Sequence, residues 1–130
     1  MVNLLLCFSV AVFSLSSCQQ NQSVEFDETF VHSVYIWLKN PDDANDRKAF
    51  ETSLDKFLKS SRFAKTKYVG TPPKATRSVV DDTFTYNLVV TFPSEAAQTG
   101  YQEEEAHKLF IEESSHLWKK VIVYDSKTIR

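Results

Sequence analysis

Residues 84–92 constrain the fold more than any other part of the chain. Phe84, Tyr86, Leu88, Val90 and Phe92 occupy alternate positions, with Thr85, Asn87, Val89 and Thr91 between them. Side chains of a strand point alternately to its two faces. This period of two therefore predicts a strand with one uniformly apolar face and one of small, mostly polar groups. The apolar face needs helices over it, and the other is free to meet a wet cavity or a partner.

Three more strands and their connections follow from the same reasoning. Residues 30–39 read as a first strand that is apolar on both faces, hence covered on both sides: Phe30, His32, Val34, Ile36 and Leu38 on one, Val31, Ser33, Tyr35 and Trp37 on the other. Asn40-Pro41 ends it. Residues 42–60 read as a helix capped by Asp42 or Asp43, with Phe50, Leu54, Phe57 and Leu58 forming one apolar stripe. Residues 64–71 read as a second strand, stopped by Pro72-Pro73. Residues 74–82 form a polar connection. After the strand at 84–92, a short helix spans 94–101 and another 105–118, and a last strand spans 119–125 around Val121-Ile122-Val123-Tyr124.

The order β-α-β-β-α-α-β, with its last two helices taken as one broken crossover, predicts an α+β, ferredoxin-like β-α-β-β-α-β domain with a four-stranded antiparallel sheet. Helices cover one face. The bare face carries Val and Ile and invites a second copy, which predicts a homodimer closing two sheets into a dimeric α/β-barrel. The 130 residues suffice for one such domain, and 10 Phe, 5 Tyr and 2 Trp provide its core. A net charge of -2 weighs against nucleic acid as a partner.

The N-terminal segment has a different character. Residues 4–15 are apolar except for Ser9 and Ser14, too short a run to span a bilayer but fitting the apolar part of a secretory signal. Leu15-Ser16-Ser17-Cys18 follows and resembles the bacterial lipobox. The expectation is therefore a signal peptide at 1–17, a lipid-modified Cys18 and a flexible tether at 18–28. The domain at 29–126 and a tail at 127–130 complete the chain, which is exported and held on the bacterial cell envelope by its lipid. No Lys or Arg precedes the apolar run. Either the α-amino group supplies the positive n-region or the start lies upstream, and a buried N-terminal helix is the alternative. Of the two cysteines, Cys7 leaves with the signal and Cys18 carries lipid, so the domain holds no thiol.

Tyr101 and His107 are the leading functional candidates. On one unbroken helix, six residues turn through roughly 600°, which would send the two side chains to different sides. Gly100 and the run Glu103-Glu104-Glu105 predict a helix break that turns both toward one space. A histidine can take a proton near neutrality, and a tyrosine can donate a hydrogen bond to a developing oxyanion. The alternative is structural, with His107 orienting the break and Tyr101 packing beneath it. Glu112 and His116, or Glu103 and His107, have the i, i+4 spacing of a metal pair but need two more ligands. The expectation is no metal and no cofactor. Glu103, Glu104, Glu105, Glu112 and Glu113 then form an acidic surface near a pocket mouth. Two glycines give no phosphate loop, and no serine or cysteine nucleophile signature is present.

Several stretches taken in order resemble the stress-responsive A/B barrel family of dimeric α/β-barrel (Dabb) proteins. They are Val31-His32-Ser33-Val34, Gly70, Tyr86-Asn87-Leu88-Val89-Val90-Thr91-Phe92, Tyr101 with Ala106-His107-x-x-Phe110, and Val121-Ile122-Val123-Tyr124-Asp125. The resemblance covers residues 29–125 and implies a homodimer with a barrel between subunits. One plant member, olivetolic acid cyclase, uses a Tyr and a His six apart for acid–base work on a polyketide, at positions that match Tyr101 and His107. His32 matches a cavity-lining histidine. Where that enzyme has His-Pro, this chain has Glu104-Glu105, and a third-strand histidine is Asn87 here. Three readings follow: a lipid-anchored homodimer binding a small, partly apolar molecule in its barrel through His32, Asn87, Tyr101 and His107; a lyase or cyclase with Tyr101 and His107 as acid and base; and a structural dimer with a filled barrel.

Overall fold

A computed structural model describes residues 25–129. The expected signal peptide, Cys18 and most of the tether lie outside those residues. The elements are β1 (Phe30–Leu38), α1 (Ala44–Ser60), β2 (Lys67–Gly70), β3 (Tyr86–Phe92), α2 (Glu95–Glu103), α3 (Glu105–Ser114), a short 3-10 turn (Ser115–Leu117) and β4 (Trp118–Lys127). The strands form one antiparallel sheet in the order β2-β3-β1-β4. This is the ferredoxin-like layout the sequence predicts.

Registry decides which side chains share a face. His32 pairs with Val90 and Asp125, Val34 with Leu88 and Val123, and Ile36 with Tyr86 and Val121. Opposed residues point the same way, so these sets look toward the helices. Val31, Ser33, Tyr35, Trp37, Asn87, Ile122 and Tyr124 look the other way, onto a face that no helix covers. The burial of β1 alternates accordingly, buried toward the helices and half-buried on the open side.

Helix α1 begins at Asp43, whose carboxylate accepts from the backbone N–H of Asn45 and Asp46 at 2.8 and 2.9 Å. This satisfies two of the helix's orphan donors and complements its dipole. Its buried face is Phe50, Ser53, Leu54 and Phe57. Phe57 stacks on Phe110 of α3 with centroids 5.1 Å apart, and Phe50 stacks on Tyr86 at 4.7 Å. Burying each such ring contributes about 1.5–3 kcal/mol.

The structure corrects three local readings. Alternation fails at the start of the third strand: Phe84 lies on the open face against Tyr35, 5.0 Å between centroids, while Thr85 turns inward and accepts from the Leu38 N–H at 3.0 Å. The backbone N–H of Thr85 already bonds the Ile36 carbonyl at 2.8 Å, so the chain enters the sheet before β3 begins, out of phase with it. The last helix stops at Ser114 and Trp118 opens β4, so the terminal strand is longer than expected. The helix break falls at Glu104, within the expected run of glutamates and not at Gly100. Gly100 lies inside α2, where a Cβ would come within 2.6 Å of the Phe63 ring.

Residues 71–85 contain no helix or strand. They lie over one end of the open face, where the Trp37 indole N–H donates to the Thr83 hydroxyl at 3.0 Å. Pro73, Val80, Asp81 and Phe84 thereby form a rim beside Tyr35, Trp37 and Asn87.

A candidate ligand cavity between sheet and helices

One extended residue builds this site. Glu104 has φ -66° and ψ 146°, ends α2 by donating its N–H to the Gly100 carbonyl, and starts α3 by accepting from His107 N–H at 3.1 Å. The interruption redirects the chain between Tyr101 and His107, so that their rings lie 4.9 Å apart. Tyr101 is 1 % exposed and packs on Phe57, Phe92 and His32, its centroid 5.6 Å from the last. A broken helix thus brings three of the four expected residues together.

These three line a cavity of about 180 Å³. Its polar corner is His32, Tyr101, His107 and Gln102, and its remaining walls are aliphatic or aromatic, with Leu88, Phe110, Ile111, Trp118 and Val123 among them. The cavity lies on the helix side of the sheet, not in the space a barrel between two sheets would enclose. Asn87 does not join it. Asn87 sits on the open face, donates its amide to the Val34 carbonyl at 3.3 Å, and lines a separate hollow of about 450 Å³ with Tyr35, Trp37 and Tyr124. Leu88 faces the helices, and a strand puts consecutive residues on opposite sides.

The structure adds Asp125, which sequence reasoning treated only as the end of a strand. Its carboxylate is 2.6 Å from Nδ1 of His32. His32 is 4 % exposed, whereas the Asp125 side chain is 42 % exposed. The carboxylate accepts, so His32 carries a proton on Nδ1 and Nε2 is its other nitrogen. His107 has the same arrangement with a neutral acceptor, its Nδ1 lying 3.3 Å from the Gln102 carbonyl. A lone histidine on an apolar strand face was the only sequence signal that such an acceptor was required.

The electrostatics separate the roles of the two central residues. Burial, and then the charges of Glu104 and Asp125, hold the Tyr101 phenol well above its ordinary range. It is therefore a hydrogen-bond donor and not a base near neutrality. Burial lowers the pKa of His107, against an opposing effect of the Gln102 carbonyl, and His32 lowers it further. A neutral His107 with Nδ1 donating keeps Nε2 as an acceptor.

Glu104 is no part of a surface acid cluster. It is 6 % exposed, with one oxygen accepting from Arg62 N–H at 3.1 Å and the other without a partner. Glu113 bonds Ser53 and Lys56 of α1, at 2.9 and 2.6 Å. Among the described residues, no group of three or more His, Cys, Asp or Glu is placed to hold a metal ion.

A family model described as the stress responsive A/B barrel domain matches residues 30–128. Three solved structures share the fold. A Dabb family protein from Mesorhizobium loti is 18% identical with a TM-score of 0.65, the match covering 78% of this chain and 98% of that one. A hydroxynitrile lyase from Passiflora edulis is 18% identical with a TM-score of 0.67, covering 78% and 94%. A dimeric protein of ferredoxin-like fold from Bacteroides fragilis is 12% identical with a TM-score of 0.61, covering 80% and 100%. Comparison with curated proteins gave no match. The domain match extends from the first strand to the last, and this chain belongs to the stress responsive A/B barrel domain family.

Proposed function

We propose that this protein is a homodimer that binds a small, partly apolar molecule in the cavity between its sheet and its helices. The observation that carries the reading is the convergence of His32, Tyr101 and His107 on one corner of an otherwise apolar space of about 180 Å³. Ligand sites are characteristically apolar concavities with a few converging polar groups. The dimer has separate support. The open face presents Tyr35, Trp37, Ile122 and Tyr124, with Tyr124 62 % exposed, and the Bacteroides fragilis neighbour is described as dimeric. Attachment to the cell envelope through a lipid on Cys18 is part of the proposal and rests on Leu15-Ser16-Ser17-Cys18.

Native mass spectrometry of the protein extracted in mild detergent from the cells that make it tests this reading. A dimer carrying an added small mass is the expected result. A monomer contradicts the assembly, and a dimer without added mass contradicts the ligand. The same spectra report a diacylglyceryl mass on Cys18 if the anchor is present.

The Asp125–His32 contact favours a second reading, a lyase or cyclase. Tyr101 would donate to an oxyanion while His107 removes a proton, with His32 held in one tautomer by Asp125. The similarity in fold to a hydroxynitrile lyase is compatible with it. Turnover of a bound compound should then fall about 100-fold or more in both Tyr101→Phe and His107→Gln. Unchanged rates would exclude this chemistry.

A further inference from the structure

We infer that the helix-side cavity takes a neutral molecule built on a ring bearing a hydroxyl or carbonyl group, and discriminates against anions. This rests on the ligand-binding reading above and names the class of compound.

Size is the first argument. An engineered apolar cavity of ~150 Å³ takes up benzene. At about 180 Å³ this one has room for a ring and a short substituent. The walls are the second. Phe110 and Trp118, 5.7 Å apart, provide aromatic surfaces for a flat apolar body, and the Trp118 indole N–H, buried and without a partner, is a further donor among the lining residues. Charge is the third. No residue lining the cavity is Lys or Arg. The charged groups nearest the corner are the carboxylate of Asp125, which holds His32, and that of the buried Glu104. An anionic head would lose its water and meet no cation, which is costly. A hydroxyl or carbonyl meets suitable partners. The Tyr101 hydroxyl donates, and His107, with Nδ1 on the Gln102 carbonyl, accepts through Nε2.

The test is an NMR titration of the isotope-labelled full-length protein in mild detergent at pH 7.5 with p-cresol and benzoate. We expect p-cresol to shift His32, Tyr101, Ile111 and Val123 in a saturable way, and to bind at least tenfold more tightly there than benzoate. Benzoate binding as tightly as p-cresol at those residues would overturn the ligand class and leave the site standing. No shift with any probe would overturn the site, and the class with it. Val123→Phe supplies a control that does not disturb the core. Val123 lines the cavity but is 46 % exposed, so a larger side chain there fills the space. Unchanged melting with at least tenfold weaker p-cresol binding is expected. Undiminished binding would overturn the assignment to this cavity.

Discussion

Removing the Asp125 carboxylate tests how the polar corner is held. His32 is 4 % exposed and its Nδ1 lies 2.6 Å from Asp125 Oδ1. A hydrogen bond to a charged group is worth about 1.5–3 kcal/mol when buried. The Asp125 side chain is 42 % exposed, so solvent screening reduces its share to about 1 kcal/mol. In Asp125→Ala, the buried N–H of His32 loses its acceptor, a cost of about 1–3 kcal/mol. His32→Leu removes the donor instead and leaves the carboxylate to water. A double-mutant cycle should therefore be non-additive: Asp125→Ala costs about 1.5 kcal/mol in the native background and close to nothing once His32 is leucine. Urea denaturation at pH 7.5 and fixed protein concentration measures all four corners of the cycle. In a domain of this size, the first step should lower Tm by about 6 °C. Additivity within about 0.3 kcal/mol would refute the reasoning, because it would mean that the two groups do not stabilise each other.

Three further outcomes follow from the geometry. Burial lowers the His107 pKa, opposed by the Gln102 carbonyl and Glu104 and reinforced by His32. The unfolded chain therefore takes up the proton first, and stability falls as pH drops below about 6.5 toward the depressed native value. Thermal melts at pH 7.5 and 5.0 should show a smaller acid loss in His107→Gln than in the wild type. Glu104→Gln keeps an acceptor for Arg62 N–H while removing a buried charge with an unpartnered oxygen. It should match or exceed the wild type in chemical denaturation, whereas Glu104→Ala should lose about 1–3 kcal/mol. Tyr124→Glu puts a charge on an open-face position that is exposed in the protomer. It should weaken dimerisation about 100-fold or more in sedimentation while the far-ultraviolet circular dichroism stays unchanged.

Element type and order were legible because they rest on periodicity. The alternation of β1, the Phe50, Leu54, Phe57 stripe of α1 and the Asp43 cap all depend on local spacing. Where two elements meet out of phase, spacing was a poor guide, and Phe84 and Thr85 sit on the faces opposite to those expected. The site was partly legible. Tyr101 and His107 come together because the helix breaks between them, but a run of three glutamates does not reveal that only the middle one turns inward. The placement of Asn87 was readable. It belongs to the polar set of its strand, His32 to the apolar set of its own, and the two sets face opposite ways. Asp125 was not readable, because its contact with His32 depends on the β1–β4 register, which no local pattern in either strand specifies.

The proposed function gives the two faces of one sheet different tasks, and a crystal structure of the purified protein grown with p-cresol tests that division most directly. The predicted result is a dimer in which Tyr35, Trp37, Ile122 and Tyr124 of the two copies face one another, with p-cresol on the far side of each sheet beside His32, Tyr101 and His107. Protomers joined through their helices, or p-cresol lodged among Tyr35, Trp37 and Phe84, would contradict it.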